Sequence, residues 1–164
     1  YPGSPDVTTY AMWLAKYEEM LSFTKEVEAA QAKFQPGHPF PELKLETPEG
    51  QSVHIKRMSL DNHVIAVWAS WCSGCRNELR ATADKGKSED WIDLRIDGLP
   101  QQRSPLAEWY GAIKEDKLGG THLSDLMGSR SSIISGLGIT ELPVYFKVKD
   151  GVIVSRASSI ETLN

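Results

Sequence analysis

Cysteine is nearly absent from this chain: two residues in 164. Two thiols cannot build the multi-bridge scaffold of a small secreted protein, nor supply four sulfur ligands to a structural zinc ion. The four histidines, His38, His54, His63 and His122, are scattered without ligand-like spacing, so no metal and no cofactor is expected. Long apolar runs are missing as well, and none approaches the roughly 18–20 residues of a membrane span. Lysine and arginine form no stripe and the net charge is −4, which argues against nucleic acid as a partner. There is no internal repeat and no low-complexity tract. The chain opens on Tyr1 rather than Met, implying a processed or excised chain, so the lack of a leader or anchor excludes no compartment. What remains is 40% hydrophobic and 24% charged, an ordinary composition for one globular domain with an appendage.

The two cysteines stand two residues apart in Ala66-Val67-Trp68-Ala69-Ser70-Trp71-Cys72-Ser73-Gly74-Cys75. An apolar run readable as a buried strand leads directly into a C-x-x-C turn that opens a helical segment. A thiol at a helix N-terminus faces unpaired backbone N–H groups and the positive end of the helix dipole, and both favour thiolate. Cys72, the more exposed and better placed of the two, is the candidate nucleophile, and Cys75 the resolving thiol. Together they can pass two electrons by cycling between dithiol and disulfide. The bland alternatives are an inert buried pair or half of a zinc site. Trp68 reads as core, and Trp71 as surface around Cys72 that contacts partners.

The rest of the chain supplies a framework. A helical pattern runs from about Asp6 to about Phe34, with Tyr10, Trp13, Leu14, Tyr17, Met20, Leu21 and Val27 on one face. That face is expected to pack on the domain; the alternative is a connector or docking helix. Pro36-Gly37 ends it, giving an extension at 1–36 and a domain at 37–164. Glu42–Thr47 and Gln51–Lys56 flank Pro48-Glu49-Gly50 as a hairpin prefix. Val64–Ser70 is the buried strand, Cys72 to about Lys85 a helix, and Trp91–Asp97 a second parallel strand. Ser104-Pro105 caps and starts a helix reaching Gly119-Gly120. A short helix over Ser129–Leu137 precedes Val144–Lys149, the Asp150-Gly151 turn and Val152–Arg156. Ser158–Asn164 reads as the first turn or two of a closing helix.

Trp68-Ala69-Ser70-Trp71-Cys72-x-x-Cys75-Arg76-x-Glu78 resembles the active-site segment of thioredoxin-fold proteins. It is most similar to the bacterial extracytoplasmic branch that includes the cytochrome c maturation thioredoxins. Gly138-Ile139-Thr140-Glu141-Leu142-Pro143-Val144-Tyr145-Phe146 resembles the family's cis-proline segment, and Asp150-Gly151 its following hairpin; together the motifs span about Gly37 to Ile160. The resemblance implies an α/β, thioredoxin-like three-layer sandwich with a hairpin prefix and an N-terminal helical extension. It also implies a thiol–disulfide oxidoreductase in the periplasm or cell envelope. Its partners would be protein disulfide substrates and an upstream thiol donor, membrane-bound or periplasmic. Apocytochrome is one substrate class so suggested.

By the same resemblance Pro143 is cis beside the cysteines, and the exposed Leu142 backbone pairs with an extended substrate. Glu78 is the acid that exchanges a proton with Cys75 if it points inward; otherwise it is a solvated surface residue. The aspartate that cytoplasmic thioredoxins bury six residues before the first cysteine is here Ala66. Three features depart from the branch: the Ser73-Gly74 dipeptide between the cysteines, Arg80 in place of a helix proline, and Leu142 before Pro143. The first two bear on redox tuning, the third on partner choice. The competing reading is a thioredoxin-like interaction module without redox turnover. A peroxidase is disfavoured, because Ile65 and Ala69 occupy the positions of its proline and hydroxyl residue.

Overall fold

Every residue from Ile65 to Ala69 is fully buried, and alternate side chains enter two different cores. Ile65, Val67 and Ala69 meet Leu123, Ile133, Leu137 and Phe146, whereas Ala66 and Trp68 meet Cys75, Leu79, Trp109 and Tyr145. A strand covered on both faces reads as a continuous apolar run, which is why it was legible without alternation. This computed structural model describes residues 7–56, 60–83, 91–95 and 105–163. The helix start at Asp6 and the Ser104 cap lie outside the described residues, as do the ends placed at Lys85, Asp97 and Asn164.

In chain order the elements are α1 (Val7–Lys33), β1 (Leu43–Glu46), β2 (Ser52–Ile55), β3 (Asn62–Trp68), α2 (Ser73–Ala83) and β4 (Trp91–Arg95). Then come α3 (Pro105–Glu115), β5 (Thr121–Ser124), α4 (Ser132–Leu137), β6 (Val144–Lys149) and β7 (Val152–Ala157). The sheet runs β2-β1-β5-β4-β3-β6-β7. β3, β4 and β5 are mutually parallel, and the remaining pairings are antiparallel. Residues of α2 and α3 enter the core with Trp68, and those of α4 enter the core with Ile65, so the three-layer sandwich stands. The hairpin prefix forms as β1 and β2, closed by Gly50 at φ +81°.

Three local expectations need correction. The segment Ser129–Leu137 is not one helix: a 3-10 turn over Gly128–Arg130 precedes α4. Ser131 separates them in extended backbone, φ −58° and ψ 135°, and its hydroxyl accepts the Ile133 N–H as an N-cap. Residues 158–163 form turns rather than helix. The Thr162 hydroxyl donates to the Ser159 carbonyl at 3.2 Å, a local bond that competes with helix. Ile160 and Leu163 still cover the core beside Trp68.

The third correction concerns α1. Only Val27 and Ala30 are buried along it, whereas Tyr10, Trp13, Leu14, Tyr17, Met20 and Leu21 are exposed. Length explains this. A helix of 27 residues is about 40 Å long, and the helix beneath it, α4, has six residues and spans about 9 Å. The aromatic face turns on itself instead: Trp13 stacks with Tyr10 and Tyr17, at centroid distances of 6.2 and 5.4 Å. The last turns are held closely. Arg156 donates to the carbonyls of Phe34, Leu137 and Gly138 and lies 4.9 Å over the Phe146 ring. It therefore ties the end of α1 to the end of α4.

Candidate functional site

α2 begins at Ser73, so Cys72 holds its N-cap position. The Cys75 N–H donates to Cys72 Sγ at 3.2 Å, and the Arg76 N–H donates to the Cys72 carbonyl at 3.1 Å. The sulfur thus does what a serine or aspartate cap does, accepting an orphan N–H of the first turn. A bond of this kind, with the dipole, favours thiolate when the pair is reduced. The structure has the pair oxidised, as a Cys72–Cys75 disulfide with Cα atoms 5.3 Å apart. Cys72 is half-buried and Cys75 fully buried, so only the first sulfur is open to a macromolecular partner. Ser73 and Gly74 are exposed, and a Cβ on Gly74 would meet nothing within 4 Å. Packing therefore does not demand glycine between the cysteines.

The sheet register supplies the other wall. Val67 of β3 lies opposite Val144 of β6, so the loop leaving β3 and the residues entering β6 share one end of the sheet. That brings Cys72 and Leu142 together: both pack against both cores at their common edge. The Leu142–Pro143 peptide bond is cis. Trp71 is 57% exposed, and Trp68 is fully buried among Cys75, Trp109 and Tyr145. Glu78 is half-buried, and its Oε2 accepts the Ile160 N–H at 3.3 Å, tying α2 to the C-terminal turns.

Sequence reasoning missed the charged cluster on the same helix. Arg76 Nε donates to Asp116 Oδ2 at 2.5 Å, and its Nη2 to Asp116 Oδ1 at 3.0 Å and Glu115 Oε2 at 2.8 Å. Arg80 Nη1 lies 3.6 Å from Asp116 Oδ1. The Asp116 side chain is completely shielded from solvent, and these two carboxylates hold the Arg76 pKa above its ordinary value. Arg76 and Asp116 are 40 residues apart, and no local pattern announces such a pair. Among the described residues no group of three or more His, Cys, Asp or Glu could hold a metal ion, and no helix is long and apolar enough to cross a membrane.

No protein-family model matches this chain, and no curated protein matches it. Solved structures do. The thioredoxin domain of a thiol-disulfide oxidoreductase from Bacteroides vulgatus is 21% identical, with 77% of this chain and 90% of that one covered at a TM-score of 0.58. A thiol-disulfide oxidoreductase from Bacteroides fragilis is 22% identical, over 72% of this chain and 88% of that one, at 0.57. StoA from Bacillus subtilis is 20% identical over 73% and 88%, at 0.54. At these identities the likeness establishes the architecture: the chain has the thioredoxin fold.

Proposed function

We propose that the chain is a thiol–disulfide oxidoreductase that reduces or exchanges protein disulfides through Cys72 and Cys75. One observation carries this reading above the others. The half-exposed Cys72 sulfur caps a helix and accepts a backbone N–H, with its partner sulfur buried one turn inside. The Cys72 thiolate attacks one sulfur of a substrate disulfide. A bond forms between Cys72 and that sulfur, and the other substrate sulfur leaves as a thiolate and takes a proton. Cys75, deprotonated, then attacks Cys72 Sγ; the internal disulfide forms and the second substrate thiol departs. The substrate gains two electrons and the protein loses two, which an upstream thiol donor must restore. The fold neighbours named as thiol-disulfide oxidoreductases support this chemistry.

Within this reading Leu142 and Pro143 would seat an extended substrate strand beside Cys72, and Trp71 would contact it. Residues 37–164 form the catalytic unit and 1–36 an appendage. The location is extracytoplasmic, supported by the resemblance of the Trp68–Glu78 motif to that branch. Apocytochrome and misoxidised envelope proteins are its two candidate substrate classes. The exposed aromatic face of α1 supports a second reading, a protein-interaction module without turnover.

Equilibration in graded thiol/disulfide buffers, with free thiols counted by alkylation and mass, separates the two. A potential near or below about −250 mV supports a reductase, and one above about −150 mV an oxidant. If no internal disulfide forms at any poise, the binding module replaces both. Glu78 has its own test. If it exchanges a proton with Cys75, Glu78→Gln should delete one ionisation from the pH–rate profile of disulfide reduction. Because glutamine keeps an acceptor for the Ile160 N–H, an unchanged profile would leave Glu78 as a tether between α2 and the C-terminal turns.

A further inference from the structure

Asp116 is buried where a carboxylate is least expected. It follows α3 directly, at the negative end of that helix's dipole, where basic side chains are the favourable choice. Burying a carboxylate is costly unless it is paired and hydrogen-bonded. Its partner is Arg76, which bonds both carboxylate oxygens. Arg76 in turn stands four residues after Cys72 on the face of helix that Cys72 begins. Side chains four apart on a helix have Cβ atoms about 5–6 Å apart, and each leans back over the preceding turn. The unrestrained course of the Arg76 side chain is therefore toward the Cys72 sulfur. Asp116 and Glu115 hold it at the end of α3 instead.

We infer that Asp116 is a positioning residue for the redox thiol: it holds the Arg76 guanidinium and offsets its charge, so that Cys72 is less acidic than the helix and an unpaired arginine would make it. This rests on the reading of Cys72 as the attacking thiol. Arg80 shares the Asp116 carboxylate with Arg76, and the other charged groups nearby are engaged elsewhere: Glu78 accepts from Ile160, and Glu141 acts on Arg156. Leu142 and Pro143, on the β6 side, carry no charge. A less acidic Cys72 leaves the dithiol less stabilised relative to the disulfide, which makes the pair a better reductant.

The test is the titration of Cys72 in full-length Cys75→Ser protein, read from thiolate absorbance and from iodoacetamide alkylation rates against pH. Asp116→Asn removes one negative charge and leaves Glu115 as the one carboxylate facing Arg76, so the guanidinium charge is less offset and the Cys72 pKa should fall by about half to one unit. Below that pKa the alkylation rate should rise roughly threefold to tenfold. Arg76→Gln should raise the pKa by a similar amount, and the double variant should return to within about 0.2 units of the parent. Opposite signs that cancel are a signature that loosened packing does not produce. Shifts of the same sign, or none, overturn the proposal. Should Asp116→Asn fail to fold, the double variant, which leaves no unpaired charge at the pair, is compared with Arg76→Gln: a Cys72 pKa that falls when Asp116 is neutralised in that background supports the proposal, and an unchanged or raised one overturns it. None of this needs turnover. If the parent protein reduces no disulfide, the functional reading falls, while the pKa pattern still decides the role of Asp116.

Discussion

Cys72→Ser should lower the rate of protein disulfide reduction by at least about a thousandfold while leaving the fold intact. The loss follows from acidity, because a serine hydroxyl is not ionised at neutral pH and cannot attack a disulfide sulfur. The intact fold follows from the cap. Cys72 Sγ accepts the Cys75 N–H at 3.2 Å, and a serine oxygen at an N-cap makes the same bond at least as well. The fair reference is reduced parent protein, since the internal disulfide closes so short a loop that it contributes only about 2 kcal/mol. Cys75→Ser should behave differently on both counts. It buries a hydroxyl at a fully buried position among Trp68, Leu79 and Trp109, which costs about 1–3 kcal/mol if the hydroxyl finds no partner. It also leaves the mixed disulfide unresolved, so substrates should accumulate covalently on Cys72. Insulin reduction with mass analysis of trapped adducts reads both variants. Parent-like reduction by Cys72→Ser would end the dithiol mechanism.

What the sequence made legible was local. The run Ile65–Ala69 declared a strand buried on both faces, and its junction with Cys72 declared a sulfur at a helix start. The order of strands and helices around them matched the sandwich that the resemblance of the motifs implied. Features set by distant partners stayed hidden. β5 (Thr121–Ser124) has four residues and no clear alternation, and it exists as a strand through its pairing with β4 and β1. The Arg76–Asp116 pair joins two helices across 40 residues. The apolar face of α1 was visible from its spacing, but periodicity reports a face and not what lies against it. Here α4 is long enough to cover only the last turns. Gly138 shows the same limit from the other side. In sequence it opens the segment that resembles the cis-proline motif, and in the fold its lack of a side chain serves a helix more than 100 residues away.

Gly138→Ala should cost about 2–4 kcal/mol, and for a chain of this size the melting temperature should fall by roughly 5–15 °C. Two terms add. Gly138 caps α4 in the left-handed region, φ 65° and ψ 52°, where an L side chain costs on the order of 1 kcal/mol. A Cβ there would also stand 2.0 Å from the Gln31 nitrogen and 2.3 Å from the Gln31 Cα. Both are backbone atoms of α1, so no rotamer change relieves the contact and the helix itself must retreat. Retreat uncovers Val27 and Ala30 and strains the bond from Arg156 to the Phe34 carbonyl. Gly50→Ala is the control: φ is +81°, nothing lies within 4 Å of the added carbon, and only the conformational cost of about 1 kcal/mol applies. Trypsin cleavage after Lys25 and Lys33 should quicken in Gly138→Ala and not in Gly50→Ala. If the two variants melt alike, α1 is not seated on Gly138. If Gly138→Ala releases α1 yet still reduces disulfides, residues 37–164 carry the chemistry without the helix. If activity is lost together with docking, α1 acts on the site through α4, and its exposed aromatic face belongs to the working protein.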